Sequence, residues 1–489
     1  MPSNFIRNMS NSIKRNFLYN ILLNISKVIF PLITAPYVSR VLEPDGVGLF
    51  NFANTYAGWF ALFAALGIPY YGIREVAKIK DDIGEQVKFV SEIISISAIA
   101  TFVCSILMFL TLFFIPQLNE NYIVFLVSGI ILYMTPFKID WFFQGKEEFG
   151  YITFRSLIIK TLSVILLFLL VREKSDLLIY VALNALAVVL NEIWNFVKLY
   201  QSGIHPYFTL SGNRHIKPLI ALFSSAIAIH VYMYIDTVML GFMTNYEEVG
   251  YYNCATHISK AILPIVTSLS AVAIPRVSVF NETHSWEEIN NLMNKSFSIV
   301  GYLSFPIAFG VIVVSPVFVP LFFGELFKET ILPLQILITT IVIIGFNNIT
   351  GMQILIGLCH DKQYFYSVLT GTFINLILNS ILIPYLGAIG AAIASVLSEL
   401  IVLFVMLYFV YSKTYIRILI HKELLIDAFI ACFFVVVAFG ISKICVGWGY
   451  VFVTLFLCSS FYVLIQFFLR NSSEQLLINM VLKIYSSIR

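Results

Sequence analysis

Uncharged apolar stretches of eighteen or more residues recur from one end of the chain to the other, as in 296–320 and 447–469. Each is long enough, as a helix, to cross a hydrocarbon layer of about 30 Å, and runs of that length read as membrane spans. Composition agrees: 59% of the 489 residues are hydrophobic, 12% are charged, and the mean hydropathy is +0.90. Those values exclude a large soluble protein with a thick core. They predict an all-α polytopic membrane protein.

Charged and turn-rich breaks divide the chain into fourteen candidate helices: 17–39, 47–73, 89–115, 121–141, 151–171, 177–200, 217–243, 249–276, 296–320, 331–357, 363–384, 388–411, 424–442 and 447–469. The N-terminal MPSNFIRNMSNSIKRNF has the basic flank of a signal peptide, but the apolar run after it is long and lacks a clear small-x-small cleavage site. It reads as a retained first helix. With a cytoplasmic N-terminus, 23 of the 30 Lys and Arg fall in cytoplasmic flanks. Five (Arg40, Arg172, Lys174, Lys328, Lys443) lie on the far side, and Lys27 and Lys260 lie inside helices. The positive-inside rule then puts both termini in the cytoplasm. The connections are short, and none carries a GxxxxGK[ST] phosphate loop, so any work is driven by gradients or by substrate flow. Six scattered cysteines show no metal-ligand spacing, and no metal, other cofactor or nucleic-acid partner is expected.

The chain also repeats itself. VGLFNFA at 47–53 matches VGYYNCA at 249–255, IPY at 68–70 falls near IPR at 274–276, and QGKEEFGY at 144–151 corresponds loosely to IGLCHDKQ at 356–363. Six helices per unit give both halves the same orientation, a parallel repeat about the membrane normal. The expected organisation is an N-lobe at 1–205, a C-lobe at 206–412, and two further helices with a tail at 413–489.

Lys27 and Lys260 fall near the middle of helices one and eight, where a lysine costs roughly 2.5–3.5 kcal/mol and tends to face a bundle interior or wet cavity. Asn20, Asn24, Lys27, Pro31 and Thr34 are spaced 4, 3, 4, 3, one face of a helix, and Asn253, His257, Lys260, Pro264 and Thr267 repeat that spacing. Two polar stripes of this kind suit one cleft. Arg74, Asp140 and Arg276 fall at cytoplasmic helix ends, as interfacial groups or gate-closing ion pairs. Asp236 sits toward the far side, either as a gate partner of Arg40 or as an isolated interfacial aspartate. Glu399 is deeper and costlier, a partner for a buried cation or a proton-coupling group.

The motifs GVGLFNFANTYAGWFALFAALGIPYYGIREVAK (46–78), IDWFFQGKEEFGYITFRSLIIK (139–160), the segment 232–278 and LGAIGAAIASVLSE (386–399) resemble the bacterial polysaccharide repeat-unit flippases of the multidrug/oligosaccharidyl-lipid/polysaccharide exporter superfamily. The resemblance covers about the first 410 residues. It implies a two-lobed, fourteen-helix inner-membrane transporter that moves undecaprenyl-pyrophosphate-linked oligosaccharide across the bilayer by alternating access, for O-antigen or capsule synthesis. Expected partners are that glycan, the bilayer, and the polymerase and export machinery of the pathway. Coupling to H+ or Na+ is left open. In related lipid II flippases, cations on helices one and eight line the cavity, and Lys27 and Lys260 are the matching positions. Those flippases add an arginine on helix two, where this chain has only Asn51, Asn54 and Tyr56. Asn24, Asn54, Tyr56, Asn253 and His257 are the expected sugar contacts. Competing readings are a lipid II flippase, a multidrug/cation antiporter, which usually needs an acidic group on helix one, and a membrane-embedded polysaccharide polymerase, an enzyme that would carry a large loop or catalytic module.

Overall fold

The structure is a computed structural model, and it describes residues 2–268, 270–417 and 422–469. The C-terminal part of the predicted tail lies outside the described residues. Among them the chain is helical, with no strand. It folds as two compact units, Met1–Gly250 and Tyr251–Arg489.

In the first unit, α1 (Pro2–Ala65) joins predicted helices one and two through a single non-helical residue, Glu43 (φ 60, ψ 176). Then come α2 (Ile68–Lys78), α3 (Ile83–Phe114), α4 (Phe149–Leu170), α5 (Leu177–Gln201) and α6 (Asn213–Met243). In the second unit, α7 (Tyr246–Thr267), begun in the first, leads to α8 (Ser270–Glu282) and α9 (Trp286–Phe323). α10 (Asp361–Lys413) merges two predicted spans across Gly387 (φ 52, ψ −129), and α11 (Lys422–Cys432), α12 (Phe434–Ser442) and α13 (Gly447–Leu469) complete the described chain. Nine helical stretches among the described residues are long and apolar enough to cross a membrane. Large side chains such as Phe109, Phe113 and Phe456 stand on their surfaces, Phe113 at 69% exposure, a state that suits hydrocarbon rather than water.

Three expectations need correction. Predicted helix four (121–141) is a series of short pieces, Tyr122–Ser128, Ile130–Tyr133, the tighter Thr135–Phe137 and Asp140–Gly145. Pro136 has no N–H to continue the ladder, and the chain tightens into a 3-10 turn there instead of continuing as a regular helix. Predicted helix ten (331–357) is divided into Ile331–Leu337 and Thr340–Asn347, then widens into a π-helical turn at Asn348–Ile356. Finally, flank counting puts Arg155 and Lys160 among the cytoplasmic cations, yet both lie inside α4, Lys160 as the twelfth of its 22 residues.

Two close approaches set the first unit's geometry. Gly67 (φ 76) breaks the helix between α1 and α2, and a Cβ there would lie 2.9 Å from the backbone N of Phe223 on α6. Gly48 and Gly250, equivalent glycines of the sequence repeat, meet at a second crossing. A Cβ on Gly48 would fall 1.6 Å from the Tyr246 carbonyl, and one on Gly250 2.3 Å from that of Pro44. The first unit's core gathers Tyr71, Phe89, Trp141, Phe142 and Phe143, and the second unit's centres on Val266, Phe297, Ile341, Ile354 and Met406.

Candidate functional site

The polar stripe of α1 is present. The Lys27 ammonium donates to Asn24 Oδ1 at 3.2 Å, and Asn24 donates to Asn20 Oδ1 at 3.2 Å. Pro31 has no N–H to offer the carbonyl of Lys27, and Thr34 donates instead to the Phe30 carbonyl at 3.1 Å. Lys27, Pro31 and Thr34 line a cavity of about 350 Å³ whose far wall is α4 and α5.

Lys160 lines the same cavity and was missed in the sequence reading. Its ammonium donates to Ser26 Oγ at 3.0 Å and lies 5.6 Å from the Phe30 ring centroid. The register explains its depth. Thr153 donates to the Tyr19 carbonyl (3.0 Å), Lys160 to Ser26, and Tyr37 to the Val171 carbonyl (2.6 Å), each pair 134 residues apart. A constant offset means that α1 and α4 run parallel, so Lys160 sits level with Ser26 and within about 1.5 Å in depth of Lys27. Its mid-helix position was the available signal.

Asp140 makes an ion pair within the first unit. The Arg155 guanidinium, 2% exposed, donates to Asp140 Oδ1 at 2.8 Å, to Asn191 Oδ1 at 3.1 Å and to Asn195. Asn195 donates in turn to Asp140 at 3.0 Å and to the buried Glu192 at 3.1 Å. Arg74 pairs with its neighbour Glu75 at 3.0 Å and stacks 5.4 Å from the Tyr71 ring. Burial pushes the Glu75 carboxyl up, but Lys78 and Arg74 outweigh it and hold it below the ordinary range. Behind this pair, buried Glu92 on α3 accepts from Arg214 (2.8 Å) and lies 2.7 Å from His215, which lies 2.7 Å from the Tyr71 hydroxyl. This network fastens α3 and α2 to the start of α6.

The remaining candidates divide between the units. Tyr56 is buried among Phe52, Phe60, Phe125 and Phe242 and donates to Thr111 at 2.5 Å, so its phenol serves helix packing rather than a cavity wall. Asn54 is half-buried, and Arg40 is exposed and donates to the Pro36 carbonyl at 3.4 Å. Asp236 is half-buried on α6. In the second unit, Asn253, His257 and Lys260 follow one another on α7, with His257 and Lys260 exposed, and Arg276 is exposed on α8. Glu399 is buried, and Asn347 donates to its carboxylate at 2.7 Å, next to the π-helical turn.

A family model described as "Polysaccharide biosynthesis protein" matches residues 13–281, more than half of the chain. The chain belongs to this family. A relative from Escherichia coli (strain K12), named "Putative O-antigen transporter", is 24% identical over 425 residues, covering 82% of this chain and 97% of its own. Among solved structures, a lipid II flippase MurJ in an inward closed conformation aligns with TM-score 0.71 and 16% identity over 93% of this chain and 99% of its own. An inward-facing MATE multidrug resistance transporter of the MOP superfamily aligns with TM-score 0.59 and 14% identity over 79% and 94%. At such identities these structures establish the fold alone, an all-helical polytopic fold like that of MurJ and the MATE transporter. The motif resemblance therefore holds for both family and fold, and the relatives are transporters rather than catalysts.

Proposed function

We propose that this family member is a flippase that carries undecaprenyl-pyrophosphate-linked oligosaccharide repeat units across the bacterial inner membrane, both termini cytoplasmic, for O-antigen, capsule or another surface polysaccharide. The observation that carries the reading is the cationic stripe of α1, set in a cavity whose lining contains no Asp or Glu. A pyrophosphate dianion cannot cross about 30 Å of hydrocarbon unaided, whereas ammonium groups and hydroxyls replace its hydration. The names of the O-antigen relatives and the MurJ-like fold support a lipid-linked glycan as cargo. A cation antiporter would need a carboxylate at this stripe. Asn24, Asn253 and His257 supply hydrogen bonds to sugar, and Lys260 the second lobe's cation. Asp236 and Glu399 are the candidates for H+ or Na+ coupling, and the pathway's polymerase and export machinery are the partners that would take the flipped unit.

Lys27→Ala and Lys260→Ala are each expected to impair surface polysaccharide production at normal protein levels, read by glycan staining in a deletion strain carrying each variant. Full complementation by the double variant contradicts the reading.

A further inference from the structure

We infer that Lys160 is the second ligand of the diphosphate group, and that Lys27 and Lys160 together form a diphosphate site contained within the first unit. This deepens the flippase reading and rests on it for the identity of the lipid. The parallel register of α1 and α4 holds the two ammonium groups at one depth, and both open on one cavity of about 350 Å³. That volume holds about ten waters, room for a hydrated diphosphate. Both lysines hydrogen-bond only to neutral oxygens, Asn24 Oδ1 and Ser26 Oγ, and neither makes an ion pair among the described residues. Two positive charges thus share one cavity without a lining carboxylate. Each repels the other until a dianion enters, and an ester of diphosphate supplies one negative charge to each. Thr34, Ser163 and Asn184 on the same walls add neutral polar groups for the remaining oxygens.

The test uses the full-length protein in lipid nanodiscs, with undecaprenyl pyrophosphate and inorganic pyrophosphate as separate probes. Protection of Lys27 and Lys160 from an amine-acylating reagent is read by mass spectrometry. Both probes are expected to protect both lysines, the lipid form at lower concentration. Lys160→Gln is expected to weaken binding of the lipid form roughly ten- to a hundred-fold, the loss of one charge-assisted hydrogen bond, and Lys160→Arg to restore most of it. Protection is measured on the wild-type protein, so it decides the matter even where Lys160→Gln fails to fold. Failure of both probes to protect Lys160, or unchanged affinity in Lys160→Gln, overturns the site. If gene deletion still abolishes surface glycan in that case, the flippase reading survives alone. If both lysines are protected but deletion leaves the glycan unchanged, the diphosphate site stands and the flippase reading falls.

Discussion

Arg155→Ala is expected to lower the unfolding free energy by about 3–5 kcal/mol, or to remove the protein from the membrane altogether. That is the usual cost of breaking a buried ion pair from one side. The guanidinium is 2% exposed and joins three helical pieces, donating to Asp140 before α4 and to Asn191 and Asn195 on α5. Removing it leaves Asp140 facing Glu192 through Asn195, without its ion-pair partner and with only Lys138 as a nearby cation. Arg155→Lys keeps the charge but not the planar fork, and should fall between wild type and alanine. Pairing Arg155→Met with Asp140→Asn removes both charges and should cost less than Arg155→Ala alone. Thermal unfolding in detergent, followed by fluorescence-detected gel filtration, orders the series. An Arg155→Ala protein as stable as wild type would show that the network does not hold α4 to α5.

Gly48→Val is expected to prevent accumulation of folded protein. The new Cβ would overlap the Tyr246 carbonyl at 1.6 Å, and the obstacle is backbone on both sides, so no rotamer relieves it. Gly58 lies ten residues, about 15 Å, further along the same helix with open space around it, and Gly58→Ala should be neutral or slightly stabilising. Comparing membrane levels of the two variants separates a steric demand at the crossing from a general need for flexible glycine. Equal levels of both would contradict the packing at Gly48 and Gly250. That crossing also explains a piece of the repeat: the shared VG of the two motifs places a side-chain-free residue on each of two helices at one point of contact.

The existence of the helices was legible because uncharged runs of bilayer length leave few alternatives. Their interruptions were less so. Glu43 and Gly387 break long helices within one residue, and a proline such as Pro136 can end a helix or merely bend it until neighbouring packing decides. The Lys27 stripe was legible from its 4, 3, 4, 3 spacing, because periodicity assigns residues to a helix face. Periodicity does not say what that face meets. Tyr56 therefore read as a sugar contact although three neighbouring phenylalanines and Phe60 enclose it. Lys160 escaped because it follows the charged QGKEEFGY turn and Arg155, and so reads as the end of a basic flank. Only the parallel register with α1 gives it its depth. The Arg155 and Glu92 networks include contacts between residues 15 to 144 positions apart, which no local pattern announces.

The proposed movement of a lipid-linked glycan between leaflets is tested most directly by the leaflet position of that glycan. In a strain lacking the gene, lipid-linked repeat units should accumulate in the cytoplasmic leaflet, inaccessible to a membrane-impermeant glycan-modifying enzyme added to spheroplasts. Plasmid-borne wild type should restore access. Undiminished access in the deletion strain, with surface glycan intact, would contradict the account.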